Sequence, residues 1–501
     1  MKHKSLITQS FHLFLFPTII SYAMGSINGV VDAIIVGNIV GEGGLSVVNM
    51  CLPINVLIIT VMTVCFVGAS IIASRSIASG NHTTTASVFT TATIATLGLS
   101  IMVSALGVCN IDSIAAFLCH NEQLRADVCS YAQAMFISLP VMAMCGGLAT
   151  IIKTDSSPRL VTNAVIIATS INMILDFVFI KYCHTGVVGS AWAATIGFAV
   201  SLCVCSLHFT FKRSHLHLCN PLPKTYLREM IILGLPITIQ QFCNAIRAAA
   251  INNMVEDNLG LHGEAILMLF INFAILGGVL FSGINQVMQI INSSAIGCSD
   301  HRGFKIAQRH AITYIAIGVS IIVVGIFTFP KQVSAMFGYT ADATTNIRQL
   351  APALILMAAN YTLMSIYQII GKAKMAIAIS LSQTLMALPT MMVLLHFSPE
   401  NFCLTFSIAE LITLLWIIAA HHPLKPDWGI VNETVYRITS TGPNDNIPDK
   451  IIIESTQVEG WTVFEATIRT HSDGHVSTLF RHNGKPSTDY TYAIGMQQRL
   501  M

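Results

Sequence analysis

Two aspartates and an asparagine stand in stretches of the sequence that are otherwise apolar. Asp32 lies in NGVVDAIIVG, and Asp176 lies in NMILDFVFIK, one helical turn after Asn172. An aspartate near the centre of a membrane helix costs about 2.5–3.5 kcal/mol on insertion scales, so such acids are candidate functional residues. Residues four apart share one face of a helix, which places Asn172 beside Asp176.

Two carboxylates and an amide oxygen form a suitable first shell for Na⁺. Two carboxylates close together in a low dielectric also share one proton readily. We therefore predict a cation site at Asp32, Asn172 and Asp176, which holds Na⁺ as a bound metal or H⁺ as a titrating proton. The alternative interpretation is structural: each aspartate caps or braces a neighbouring helix.

The composition indicates the environment in which these residues lie. The chain has 501 residues, of which 53% are hydrophobic and 10% are charged, and its mean hydropathy is +0.68. Soluble domains contain about 25% charged residues, so we expect an all-α polytopic membrane protein in a lipid bilayer. A helix needs about 20 apolar residues to span a bilayer. Twelve such segments are found, at 13–37, 50–74, 86–110, 129–152, 159–181, 188–211, 228–252, 264–292, 306–330, 347–371, 375–397 and 402–421.

The basic residues of the loops predict the orientation, because cytoplasmic loops carry an excess of Lys and Arg. The N-terminus and the loops on its side hold fourteen: Lys2, Lys4, Arg75, Lys153, Arg159, Lys212, Arg213, Lys224, Arg228, Arg302, Lys305, Arg309, Lys372 and Lys374. The opposite loops hold four: Arg125, Lys181, Lys331 and Arg348. We expect a multi-pass protein of the cell inner membrane with both termini in the cytoplasm.

A repeat divides the predicted helices into two six-helix lobes. Pro17 and Gly41 are expected to begin and end one helix, and Pro236 and Gly260 are expected to do the same 219 residues later. The predicted domains are a first lobe at 1–211, a cytosolic loop at 212–227, a second lobe at 228–421 and a soluble β-rich segment of unknown role at 422–501. Two such lobes are a transporter architecture, with the binding site between or within them.

Arg247 and Glu410 are the predicted intramembrane charges of the second lobe. They form either a structural ion pair between two helices or a contact with a substrate in the central cavity. The second lobe has no counterpart of the two aspartates, since Ile251 stands where the repeat would place Asp32. The sequence also lacks the P-loop, zinc-protease and serine-hydrolase motifs, so we expect no enzyme and no cofactor beyond the cation.

Several stretches resemble the multidrug and toxic compound extrusion (MATE) family, in order and at the family's spacing over about residues 10–420. They are FPTIISYAMGSINGVVDAIIVGNIVGEGGLSVVNMCLPI, GASIIASRSIASGN, the run from INMILDFVFI to GVVGSAWAATIG, LGLPITIQQ and GINQVMQIINSSAIG. The last 80 residues lie outside the resemblance.

The resemblance implies two lobes that rock around a central cleft and export organic, often cationic and amphipathic, compounds in exchange for Na⁺ or H⁺. It also implies a cation site at Asp32, Asn172 and Asp176, which Thr195 joins. Substrate contacts are expected from Arg247, Gln286, Gln289 and Glu410, with Gln289-Ile290 in place of the family's frequent Gln-Pro. Acids that some members carry in the second lobe are missing here, and Arg247 would disfavour a cationic substrate unless Glu410 neutralises it.

Three hypotheses follow from the sequence. The first is a secondary antiporter that acts as a monomer on small molecules and has no nucleic-acid partner. The second is a lipid-linked oligosaccharide flippase of the same superfamily, which would need several basic residues in its cavity. The third is a membrane receptor that does not transport and uses the C-terminal segment as its output module.

Overall fold

The computed structural model describes residues 6–119, 122–210, 214, 216–221, 224–298, 300–331, 344–420, 424, 430–437, 465–471 and 476–481. Within these residues the first lobe contains eight α-helices: α1 Leu6–Ile39, α2 Glu42–Met50, α3 Leu52–Ala78, α4 His82–Cys109, α5 Ile111–Leu118, α6 Glu122–Thr154, α7 Pro158–Phe177 and α8 Val187–Ser206. The second lobe contains α9 Lys224–Gly297, α10 His301–Thr328, α11 Thr344–Ile369, α12 Ala373–Phe397 and α13 Leu404–Ala419.

Eleven segments of the described helices are long and apolar enough to cross a membrane. The twelfth predicted span corresponds to α13, Leu404–Ala419, which has 16 residues. At 1.5 Å per residue this helix is about 24 Å long, below the roughly 30 Å of a bilayer core. Large apolar side chains such as Phe117, Ile321 and Phe397 are exposed, as expected of surfaces that face lipid.

Three short strands lie after the helices: β1 Ile430–Arg437, β2 Glu465–His471 and β3 Val476–Arg481. They pair antiparallel in the order β1-β2-β3. Most of the segment 422–501 lies outside the described residues, so the β-rich domain stays a prediction.

Both repeat prolines lie inside helices, so the expectation that they begin helices is wrong. Pro17 is in α1 and Pro236 is in α9. A hydroxyl from a neighbouring helix donates to the carbonyl oxygen of each proline: Thr162 Oγ1 to Pro17 at 2.7 Å, and Ser380 Oγ to Pro236 at 3.4 Å. Membrane helices accommodate proline where neighbouring side chains satisfy backbone groups in this way. The two halves of the chain thus share a proline–hydroxyl contact.

Helix α9 also continues through Gly260, where a helix end was predicted. It contains two spans, 226–259 and 274–297. Ile237 and Gln289, one from each span, line the same cavity, although a straight helix would hold them about 78 Å apart. Helix α9 therefore turns back on itself between its spans. Gly41, in contrast, follows the end of α1 with φ 90°, as the sequence predicts for a break.

The two lobes contact each other at the end where Arg75 lies in the last turn of α3 and Arg228 in the first turns of α9. We call this the basic end. The backbones of α3 and α9 approach so closely there that a Cβ atom on Gly68 would lie 1.9 Å from the carbonyl oxygen of Met230. Arg75 Nη2 donates to the carbonyl oxygen of Ile369 at 2.5 Å. Cys298 Sγ donates to the carbonyl oxygen of Ala78 at 3.1 Å.

A buried pair joins α6 to the segment after α8. His208 Nε2 lies 2.8 Å from Asp155 Oδ2, and both side chains are at least 97% buried. Ser214 Oγ donates to the same carboxylate oxygen at 3.1 Å. The pair therefore attaches the beginning of the segment between the lobes to the first lobe.

Replacing Asp155 by Ala should lower the free energy of unfolding by about 1–3 kcal/mol, because His208 and Ser214 lose a buried acceptor. Thermal unfolding in detergent would measure this loss. Asp127→Ala, at an exposed position in the first turns of α6, is the matched control and should leave the midpoint unchanged. Equal midpoints for the two variants would contradict a stabilising role for the pair.

Candidate cation site and central cavity

Asp32 lies two turns before the C-terminal end of α1 and is partly buried. Asn28, one turn earlier on the same face, donates from Nδ2 to Asp32 Oδ2 at 3.1 Å. The i, i+4 spacing brings these side chains together, as it does for Asn172 and Asp176 on α7. Helix α1 packs against α7, so the two polar faces meet inside the first lobe.

Asn172 connects three helices. With its amide oriented so that both ends are satisfied, its nitrogen donates to Asp32 Oδ1 at 3.0 Å and to Asn28 Oδ1 at 2.7 Å. Its oxygen accepts from the backbone N–H of Ala194 in α8 at 2.9 Å. Asn172 therefore fixes the position of Asp32, and the second lone pair of its oxygen is left for another partner.

Asp176 is fully buried. Its side chain contacts Asp32 and Ser190, and its Oδ1 atom has no hydrogen-bond partner among the described residues. The chain changes from α-helix to one π-helical turn directly afterwards, at Val178–Tyr182. Such turns occur often at functional sites. The structure thus brings Asp32, Asn172 and Asp176 together, as predicted from their types and spacing.

Thr195 stands near this cluster but bonds elsewhere. Its hydroxyl contacts Ser138 of α6 and donates to the carbonyl oxygen of Ala191 at 2.7 Å. Among the described residues, neither of these hydrogen bonds joins Thr195 to Asp32 or Asp176. Helix α8 instead contacts Asp176 through Ser190, and Asn172 through the backbone N–H of Ala194.

The donor set fits a small cation. Carboxylates from α1 and α7 and a hydroxyl from α8 meet in the interior of the first lobe. Hard oxygen donors suit alkali cations, and two adjoining carboxyl groups suit a shared proton. An orphaned carboxylate oxygen in such a place is costly unless an ion or a proton satisfies it.

A separate cavity of about 560 Å³ lies between the lobes. Helices α1, α3 and α6 of the first lobe and α9, α11, α12 and α13 of the second lobe line it. This volume is typical of sites for drug-sized ligands, and the lining mixes aromatic and aliphatic surface with many polar groups. The polar groups include seven amides: Gln240, Gln241, Asn244, Asn285, Gln286, Gln289 and Gln383.

Arg247 and Glu410 both line the cavity and also form an ion pair. Arg247 Nη1 lies 3.5 Å from Glu410 Oε1. The second carboxylate oxygen accepts from Asn360 Nδ2 at 2.7 Å and from Gln383 Nε2 at 2.9 Å. Of the two interpretations left open by the sequence, the structure therefore shows the ion pair, and it places the pair at the wall of the cavity. Glu410 is the only carboxylate among the lining residues that the structure describes, and three side chains already bind it.

Gln286 and Gln289 each form a hydrogen bond that joins the two lobes. Gln286 Oε1 accepts from Lys153 Nζ of α6 at 3.1 Å. Gln289 Nε2 donates to Ser70 Oγ of α3 at 3.4 Å. Both glutamines line the cavity, as predicted.

Sequence reasoning missed four residues of these two sites. Asn28 could have been found, because it precedes Asp32 by four residues just as Asn172 precedes Asp176. Ser190 and Asn360 gave no such signal because neither stands in a pattern of polar residues, and the charge of Lys153 assigned it to a loop. Only the packing of helices far apart in sequence shows what they contact.

The fold and the described geometry define a polytopic helical membrane protein with two lobes around a central cavity. Residues 17–178 match the MatE family model. A curated relative, the probable multidrug resistance protein YoeA of Bacillus subtilis (strain 168), is 23% identical over 349 residues, which are 67% of this chain and 74% of the relative.

Solved structures share the fold. A MATE structure in the bent conformation aligns with a TM-score of 0.75 at 19% identity, over 83% of this chain and 95% of that chain. An outward-facing multidrug resistance MATE transporter of the MOP superfamily aligns with a TM-score of 0.76 at 19% identity, over 83% and 96%. A MOP superfamily transporter from Pyrococcus furiosus, described as having reverse polarity of its binding pocket, gives 0.75 at 19%, over 83% and 96%. The match of residues 17–178 to the MatE model and the fold shared with solved MATE transporters confirm the resemblance to that family.

Proposed function

We propose that this protein is a secondary antiporter that exports amphipathic organic compounds in exchange for Na⁺ or H⁺. The observation that carries the proposal is the contact between Asp32 and Asp176, two carboxyl groups from different helices in the interior of the first lobe. Ion binding there and substrate binding in the cavity of about 560 Å³ are separate in space. Separate sites allow the two ligands to favour opposite conformations of one protein.

Each residue of the ion site has a distinct task in this proposal. Asp32 and Asp176 bind the cation or the shared proton. Asn172 acts as a positioning residue, since it holds Asp32 through its amide nitrogen and α8 through its amide oxygen. Binding of an ion removes the repulsion between the two carboxylates and so favours the packing of α1 on α7 that the structure shows.

The described conformation is closed at its basic end, where α3 and α9 are in contact. The distribution of Lys and Arg assigns this end to the cytoplasm of the cell inner membrane. The cavity would then communicate with the outside in this state. Rocking of the lobes would open the basic end and admit substrate from the cytoplasm.

Ion binding to the purified protein tests the proposal without any knowledge of the substrate. We expect either about one bound ²²Na⁺ per protein or, if the ion is a proton, a pH-dependent uptake of about one proton without Na⁺ binding. Asp32→Asn and Asp176→Asn should remove that signal, and Asp127→Asn, at an exposed position, should retain it. The proposal is wrong if the two site variants bind Na⁺ and protons as the unmodified protein does.

Transport by proteoliposomes is the second measurement. An imposed Na⁺ or pH gradient should drive dye transport. The rate of this transport should be about 100-fold or more lower in Asp176→Asn, because the carboxylate that couples the ion is gone. Dye binding at equilibrium should persist in this variant, since Asp176 is not among the residues that line the central cavity. Coupled transport that survives in Asp176→Asn would refute the assignment.

A further inference from the structure

The charges around the central cavity indicate which substrates it accepts, and the argument rests on the transport function proposed above. A cationic substrate needs a carboxylate that is not already neutralised. Within the described lining, Glu410 is the one carboxylate, and it is held by Arg247, Asn360 and Gln383. A second cation in the cavity would have to compete with the guanidinium of Arg247 for it.

Lys153 lies directly behind the cavity wall. It is one turn after Thr150, which lines the cavity, and its side chain is buried, with a relative exposure of 6%. Its ammonium group donates to Gln286 Oε1 at 3.1 Å and lies 5.4 Å from the ring centroid of Tyr22. Both of these partners line the cavity. No carboxylate lies within ion-pair distance of Lys153 in the described part of the chain.

A buried ammonium group without a counter-ion is costly, because a neutral amide and a ring face replace little of its hydration. The group is stabilised when an anion reaches it. In total the cavity region therefore holds one neutralised pair and one additional positive charge.

The contact that covers Lys153 joins the two lobes. Lys153 belongs to α6 of the first lobe, and Gln286 belongs to α9 of the second lobe. Separation of the lobes at the basic end would break this hydrogen bond and turn the ammonium group towards the cavity.

We propose that the central cavity takes amphipathic organic anions, with a carboxylate, sulfonate or phosphate group bound by Lys153 and an apolar body packed among the phenylalanines. The amide side chains of Gln240, Gln286 and Gln383 supply further N–H donors for such a group. Phe270, Phe281 and Phe406 supply the apolar surface. This substrate class replaces the cationic one that the family resemblance leads us to expect.

A matched pair of ligands tests the charge preference. Naphthalene-1-acetate and 1-naphthylmethylamine carry opposite charges on one aromatic body, and calorimetry on protein in nanodiscs of neutral lipid measures their affinities. We expect the anion to bind about tenfold or more tightly than the cation, the range expected for a charge-assisted hydrogen bond. Equal affinities, or tighter binding of the cation, would overturn the proposal.

Variants of Lys153 test the assigned residue. Lys153→Gln should lower the affinity for the anion about tenfold and leave that for the cation unchanged or higher, whereas Lys153→Arg should retain the preference for the anion. Lys374→Gln, the same substitution at an exposed site, should behave as the unmodified protein. An unchanged anion affinity in a folded Lys153→Gln variant refutes the assignment. Because the assay contains no ion gradient, its failure leaves the ion-binding test of the antiporter unaffected.

Discussion

Replacing Gly68 by alanine should hold the lobes apart at the basic end and lower transport about tenfold or more. The added methyl group would lie 1.9 Å from the carbonyl oxygen of Met230, and the carbonyl carbon would be 2.6 Å away. Both are backbone atoms of α9, so no change of rotamer can relieve the clash. Overpacking of this kind typically costs about 1–3 kcal/mol. Since closure is an equilibrium, that cost shifts the populations about 5- to 150-fold towards the open state.

A distance measurement between the lobes would check this result directly. Spin labels at Thr83 and Lys374, both exposed and in different lobes, should report a longer and broader distribution in Gly68→Ala. The control is Gly98→Ala, because a Cβ at Gly98 meets nothing within 4 Å. Unchanged distances in Gly68→Ala would show that the backbone of α9 shifts locally. The contact at Gly68 would then not determine the equilibrium between the closed and open states. The exposed cysteines are first replaced by serine: Cys109, Cys183 and Cys203.

Replacing Glu410 by alanine should lower the free energy of unfolding by about 3–5 kcal/mol. The carboxylate is 2% exposed and is bound by one guanidinium and two amide groups. Its removal leaves Arg247 without its counter-ion and Gln383 Nε2 without this acceptor, whereas Asn360 Nδ2 keeps only the backbone carbonyl oxygen of residue 410. Breaking a buried pair from one side is strongly destabilising for this reason. Thermal unfolding in detergent is the measurement, with Glu400→Ala, at an exposed position, as the control.

The double variant separates the ion pair from the amide contacts. If the unpaired guanidinium causes most of the loss, Glu410→Ala combined with Arg247→Ala should be more stable than Glu410→Ala alone, and the cycle should show a coupling energy of about 0.5–3 kcal/mol. The pair distance of 3.5 Å is long, and the amide contacts of 2.7 and 2.9 Å are shorter. An additive cycle would mean that the amide contacts carry the stability.

The sequence predicts the elements of this fold well, because a bilayer demands about 20 apolar residues per span and few charges. It also predicts the face shared by Asn172 and Asp176, because helix geometry fixes the i, i+4 relation. The prediction that a helix ends at Gly260 was wrong for a physical reason. Glycine weakens a helix by only about 1 kcal/mol relative to alanine, so a single glycine does not by itself end one.

Contacts between distant helices lie beyond this kind of reasoning. Arg247 and Glu410 are 163 residues apart, and two arrangements were equally consistent with their types. Lys153 was counted as a loop residue, although its side chain is buried at the inner side of α6. Composition and periodicity specify which face of a helix is polar. They do not specify which other helix that face meets.

In the hydrogen bonds at the basic end, the donor residue and the acceptor residue differ in how freely they can be replaced during evolution. Arg75 and Cys298 donate to the carbonyl oxygens of Ile369 and Ala78. Every amino acid supplies such an oxygen, so Ile369 and Ala78 can be exchanged for other residues while the acceptors persist. Only loss of a donor removes a contact. We expect natural variation among descendants of this chain to accumulate mainly on the acceptor side.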